Sequence, residues 1–397
     1  MDNSLPPFRH SILSHLLPCL MISLFTVLLI EVVSGRAQHW LGMWPDYADL
    51  LQHINEPLGR MRWILGDISE VTFYKHELPA LGLLMGAWIA HWAHRHDYPF
   101  QGFAICHGKQ LWPWLIGSSL LGLLASHLLW GWTLQKGHWQ PTYVAFVSVP
   151  AMMVMLFGRG LRVMIVGAIL GAVLVTPASL LLFNFVSVPL GLPGVAGNML
   201  GIAVACALAL LLCERFPQLM NIPRASPTAR VRSLSPRGHG LIWTLRRALA
   251  DFSEVTFFGN ELASIGLLAG VAMAYLLSPE SPAYGTRLLP EIIAGQAIAS
   301  LLGVVLWRRQ WIELGWYPTY LPIVSVVPAA ILIHGGAWPV LLVSAILGAG
   351  ILPPLAIAIN LRLPDYMHVH VGCVLAMAIG ALVLVPLVGV LAASLFS

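Results

Sequence analysis

Two nearly identical acidic stretches lie 184 residues apart, GDISEVTFYKHELPALGLLMG (66–86) and ADFSEVTFFGNELASIGLLAG (250–270). Across the ungapped windows 66–87 and 250–271, twelve of 22 positions are identical. The shared polar set is Glu70, Thr72 and Glu77, matched by Glu254, Thr256 and Glu261. Carboxylates beside a hydroxyl, at the mouth of an apolar run, can hold a substrate or a coupling cation. An acidic side chain near a membrane segment is a site candidate by default. The same residues also fit plain helix-start chemistry. Asp67-x-x-Glu70 and Asp251-x-x-Glu254 have capping-box spacing, and a carboxylate is favoured near a helix amino terminus.

A second repeated pair is QPTYVAFVSVP (140–150) and YPTYLPIVSVVP (317–328). Proline removes a backbone donor and disturbs the helix ladder. In a membrane, the freed carbonyls persist only beside protein or a watery cavity. Broken segments at equivalent places in two halves point to a midplane site, where Thr142, Ser148, Thr319 and Ser325 would offer neutral hydrogen bonds. The plainer alternative is that Pro141 and Pro318 start helices. His127 and His334 lie within or near apolar runs and are candidates for relaying protons. A metal site needs several converging ligands; His91 and His94 could share a helical face, but capping of the span's cytoplasmic end is the expected role of these histidines, and His368 and His370 add no set of that kind. No metal or cofactor is expected.

The elements that must position these residues are apolar helices. The chain of 397 residues is 58% hydrophobic and 10% charged, with a mean hydropathy of +0.80. A soluble domain carries about 25% charged residues. The five cysteines are scattered, with neither disulfide nor zinc-ribbon spacing. Catalytic signatures such as GxSxG, HExxH or a phosphate-binding loop are absent from the sequence, so an enzyme is not the leading expectation. A net charge of +4 gives no reason to invoke nucleic acid.

Window hydropathy predicts eleven spans, near 12–34, 77–94, 111–133, 141–158, 161–183, 195–214, 261–277, 290–307, 318–334, 338–360 and 370–395. An amino terminus inside places fifteen Lys and Arg on the cytoplasmic side and six outside, which agrees with the positive-inside bias. The carboxyl terminus then lies outside.

The repetition runs beyond the motifs. AILGA occurs at 168–172 and 345–349, Pro177 pairs with Pro354, and Leu192-Pro193 with Gly201 pairs with Leu363-Pro364 and Gly372. Five spans per block is odd, so the two blocks would be inverted with respect to one another. The expected organisation is an amino-terminal membrane helix (1–35), then an extracytoplasmic loop and interfacial helix (36–65). Membrane repeat 1 (66–216), a basic cytoplasmic linker (217–240), and a second interfacial helix with repeat 2 (241–397) follow. The fold class is thus all-α and polytopic, arranged 1 + 5 + 5, with each repeat preceded by an interfacial amphipathic helix.

Inverted repeats are the usual internal architecture of secondary transporters. The expected function is alternating-access movement of a small polar or anionic solute, coupled to a proton or Na+, across a cell membrane (the inner membrane if bacterial). The expected partners are the lipid bilayer, the solute and a second copy of the chain. The alternatives are a membrane enzyme or flippase acting on lipid-linked material, and a non-transporting subunit of a membrane complex.

Overall fold

The computed structural model describes residues 42, 44–108, 110–220 and 239–394. The first predicted span and all but the edges of the predicted linker lie outside the described residues. Among those described there are helices and no strands. Six helices are long and apolar enough to cross a membrane: Trp112–Thr133, Leu161–Ser187, Gly194–Arg215, Leu289–Leu306, Trp338–Asn360 and Val369–Ser394. Thr142–Phe157 and Glu261–Leu277 are shorter apolar helices. The protein is a helical membrane protein.

In chain order the helices are α1 (Tyr47–Gln52), α2 (Pro57–Glu70), α3 (Glu77–Arg95), α4 (Trp112–Trp130), α5 (Val149–Phe157), α6 (Leu161–Ser187) and α7 (Gly194–Arg215). After the linker come α8 (Leu241–Glu254), α9 (Glu261–Leu277), α10 (Leu289–Leu306), α11 (Arg308–Leu314), α12 (Val326–His334), α13 (Trp338–Asn360) and α14 (Val369–Ser394). Apart from the short α1 and α11, six of these helices precede the linker and six follow it.

Local chemistry sets the important boundaries. α2 begins on Pro57, whose missing N–H costs nothing in a first turn. α3 and α9 are capped by His76 and Asn260, which accept from the N–H of Leu78 and Leu262 respectively. A 3₁₀ turn, Thr142–Ala145, leads into α5, and another, Leu321–Val324, leads into α12. Between turn and helix stand Ser148 (φ −133°, ψ −119°) and Ser325 (φ −145°, ψ −88°), both non-helical. The serines bridge the two breaks by donating to Val144 O (2.5 Å) and Leu321 O (2.6 Å), carbonyls that would otherwise be stranded. In α6 the backbone widens to π geometry over Gly171–Val175, directly before Thr176-Pro177.

The most extensive packing joins α3 to α9, and it is reciprocal. A Cβ placed on Gly82 would stand 2.0 Å from Gly266 O, and one on Gly266 would stand 2.0 Å from Gly82 O. Likewise Gly86 faces Leu262 O at 2.2 Å, while Gly270 faces Leu78 O at 2.4 Å. Numbers rise along one helix as they fall along the other, so the pair is antiparallel and contacts itself through equivalent residues. Small residues permit such approach where no hydrophobic effect drives helices together. The loops interlock in the same way. Cys106 N donates to Phe258 O (3.2 Å), and Ala283 N donates to Tyr74 O (2.8 Å).

Candidate functional site

Asp67 and Glu70 occupy the last turn of α2, and Asp251 and Glu254 the last turn of α8. The capping-box expectation for these four is therefore wrong. The DxxE spacing precedes an apolar run, but the helix it belongs to ends there instead of starting. A carboxylate is disfavoured by the dipole at that end, by about 0.3–1 kcal/mol. Glu77 and Glu261, by contrast, do sit in the first turns of α3 and α9. They accept from Arg62 Nε (2.6 Å) and Arg246 Nε (2.8 Å), tying each preceding helix to its successor.

What offsets the buried carboxylates differs between the halves. In the first, Lys75 Nζ reaches Asp67 Oδ1 and lies 2.6 Å from Glu70 Oε2, with the Trp63 ring 3.7 Å away. In the second, Arg247 reaches Asp251 Oδ1 (2.9 Å) and Glu254 Oε2 (2.7 Å). Arg247 is the counterpart of Trp63, and the counterpart of Lys75 is Gly259. The cation has changed places from loop to helix while keeping its two partners. At Gly259 (φ +55°) a Cβ would stand 2.3 Å from Glu254 Oε2, so a side chain there would be strained and would displace that carboxylate from Arg247.

The surroundings correspond closely. Asp67 Oδ2 accepts from Thr142 Oγ1 (2.7 Å), and Asp251 Oδ2 accepts from Thr319 Oγ1 (2.9 Å). Trp63 Nε1 donates to Thr142 Oγ1 (2.9 Å), and Trp311 Nε1 to Thr319 Oγ1 (3.3 Å). His127 Nε2 is 2.7 Å from Asp67 Oδ2, whereas Ser300 Oγ takes the equivalent role at Asp251 (2.8 Å). Trp139 Nε1 donates to Glu70 Oε1, and Trp316 Nε1 to Glu254 Oε1 (2.9 Å). Each glutamate is approached from the other half: the Tyr284 hydroxyl donates to Glu70 Oε1 (3.3 Å), and His107 Nε2 is 3.7 Å from Glu254 Oε1.

Burial pushes the Glu70 carboxyl up to about 8, with the Lys75 ammonium opposing and Asp67 adding to the rise. In the second half burial pushes Asp251 up to about 6 against the pull of Arg247. Two carboxylates around one cation leave one of each pair close to protonation.

The structure therefore gathers Glu70, Thr142 and His127 into one cluster, and Glu254 and Thr319 into the other. The remaining expected residues have local partners. Thr72 and Thr256 donate to Ser69 O (2.6 Å) and Ser253 O (2.8 Å), closing the turn after each helix. Ser148 and Ser325 bridge the helix breaks. His334 Nε2 is 2.9 Å from Val385 O on α14. Among the described residues, no group of three or more His, Cys, Asp or Glu side chains converges as a metal site.

Beside the first cluster is a crevice of about 230 Å³. Glu70 and the rings of Phe73, Trp139, Tyr143, Phe183 and Tyr284 line it, with the first turn of α7 on one side and Ala329, Leu332 and Ile333 of α12 on another. Phe73 has φ 67° and its counterpart Phe257 has φ 64°. A bulky residue in the left-handed region costs about 1–3 kcal/mol, a strain found mainly at functional sites.

Sequence reasoning missed Lys75, Arg247, Trp139, Trp316, Tyr284 and Asn198 as site residues. A signal existed for the tryptophans, since Trp139-x-Pro-Thr-Tyr repeats as Trp316-x-Pro-Thr-Tyr. No protein-family model matches this chain, and no curated protein matches it.

Proposed function

We propose that the protein is a secondary transporter in which two inverted repeats, 66–216 and 241–397, alternate access to a site between them for a small polar solute. The single observation that carries this reading is that each acidic cluster is approached by a side chain of the other half. Glu70 of one half meets Tyr284 of the other, and Glu254 meets His107. A relative movement of the halves would necessarily remake both sites. The antiparallel self-contact of α3 with α9 supports a two-fold axis in the membrane plane, the symmetry by which exchanging two conformations exchanges outward and inward openings. The paired helix breaks at Ser148 and Ser325 belong to the same pattern.

In this arrangement eleven spans cross a cell membrane, with the amino terminus and linker cytoplasmic and the crevice beside Glu70 on the extracytoplasmic side. The distribution of Lys and Arg supports that orientation. A counterflow screen in liposomes tests the function. Protein loaded with an unlabelled solute pool should accumulate at least one labelled small solute. Lipid scrambling or lipid turnover without solute counterflow would favour the flippase or enzyme alternative instead.

A further inference from the structure

We propose that the crevice beside Glu70 binds a small zwitterion, an amino acid or a betaine, with its ammonium in the aromatic box and its carboxylate at the start of α7. The proposal names the solute class of the transport site and rests on the transport reading only for the claim that the solute moves.

The box has walls at right angles. The Trp139 ring meets Phe183 at 77° (4.9 Å between centroids) and Tyr284 at 84° (6.4 Å), and Tyr284 meets Phe73 at 84° (6.5 Å). Ring faces carry negative potential and attract ammonium groups, methylated ones above all. Glu70 supplies the formal charge in its ionised form, which burial confines to the higher pH range. Trp139 Nε1 and the Tyr284 hydroxyl are both directed at Glu70, so neither donor is left for an anion within the box. No basic residue lines the crevice. Lys75 is buried and already shared between Asp67 and Glu70.

The other end of the crevice has the opposite character. Gly194 and Val195 open the 22-residue helix α7, where the Ala196 N–H is taken by Pro193 O (2.9 Å) but those of Gly194 and Val195 have no intrahelical acceptor, and the dipole favours a carboxylate. One turn further along α7, tied to the box residue Tyr143 and so on the ammonium side of this end, Asn198 is 2% exposed and lines the crevice. Its Nδ2 donates to the Tyr143 hydroxyl (3.4 Å), while its Oδ1 has no hydrogen-bond partner. A buried acceptor without a donor is costly, and a ligand N–H or the polarised methyl of a quaternary ammonium would relieve it. A bare cation would leave the helix terminus unused, and a bare anion would have to lie beside Glu70. A zwitterion satisfies both ends. The volume is below the roughly 300–1,000 Å³ typical of drug-sized pockets, as a solute of a few heavy atoms requires.

The test is titration calorimetry on the purified protein with four probes: glycine betaine, L-alanine, tetramethylammonium and 3,3-dimethylbutanoate, the uncharged-head isostere of betaine. At least one zwitterion should bind ten-fold or more tighter than both single-charge probes. Glu70→Gln and Trp139→Leu should each weaken it at least ten-fold. Leu332→Trp, which fills the crevice from α12 and touches no charged group, should abolish binding while leaving the melting temperature close to wild type. Equal or tighter binding of dimethylbutanoate or tetramethylammonium, no binding of either zwitterion, or full affinity in Leu332→Trp would overturn the proposal. Zwitterion binding without counterflow would keep the site and overturn transport. Counterflow of an anion alone would do the reverse.

Discussion

Exchanging the cation between its two observed positions gives the sharpest prediction about the acidic clusters. Lys75→Gly removes the ammonium that Asp67 and Glu70 share, all three side chains being buried. Taking one partner from a buried ion pair costs about 3–5 kcal/mol. Lys75 has φ 40°, and glycine at such a position recovers about 1 kcal/mol of left-handed strain. The net loss is then about 2–4 kcal/mol, a fall of roughly 10 °C in Tm at about 2–4 °C per kcal/mol. Trp63→Arg in the same chain recreates the arrangement of Arg247 and Gly259. Alone, Trp63→Arg loses ring packing and the bond to Thr142. Combined with Lys75→Gly, the new guanidinium replaces the missing charge, so the arginine should be worth about 1.5 kcal/mol or more beyond its value in wild type. The assay is a double-mutant cycle on melting temperatures in detergent. Additive losses would refute the claim that the two halves solve one electrostatic problem from different positions.

Three further outcomes follow from the same geometry. Gly82→Ala and Gly266→Ala each place a Cβ 2.0 Å from a carbonyl oxygen of the facing helix, so each should destabilise by about 1–3 kcal/mol and to a similar extent, checked by thermal melts. Because the raised Glu70 holds a proton below about pH 8, that proton competes with a ligand ammonium. The charged and titratable groups facing Glu70 are Asp67, Lys75, Tyr284, Tyr143 and Tyr47. Betaine, whose own ammonium does not titrate, should bind most tightly above pH 8 and lose up to about ten-fold per unit as pH falls, with no such slope in Glu70→Gln. Cysteine at Gln135 should react with an impermeant thiol reagent added to intact cells and cysteine at Ser235 should be protected, the opposite pattern reversing the orientation.

Much of the scaffold was legible because repetition within one chain needs no comparison to others. The twin SEVTF motifs, the Pro-Thr-Tyr segments and the shared Gly82/Gly266 and Gly86/Gly270 locate the helices that meet and the helices that break. The helical stretches before each motif were also legible from their amphipathic pattern. The end on which Asp67 and Glu70 fall was not, since a DxxE spacing reads alike before a helix and at the close of one. Pairing across the halves was equally hidden. Tyr284 and His107 lie in loops at positive φ, 60° and 56°, and share no residue type that would mark them as equivalent. The exchange of Lys75 and Trp63 for Gly259 and Arg247 looks like two unrelated differences until the fold brings both positions to one pair of carboxylates.

Counterflow of labelled glycine betaine and L-alanine into liposomes tests the central claim most directly, with wild type and Leu332→Trp compared at equal amounts of folded protein. The account expects wild type to accumulate at least one of them against an unlabelled internal pool and Leu332→Trp to accumulate neither. Folded wild-type protein that moves no solute in this assay or in the wider screen, or a crevice-filled variant that transports at the wild-type rate, would contradict it.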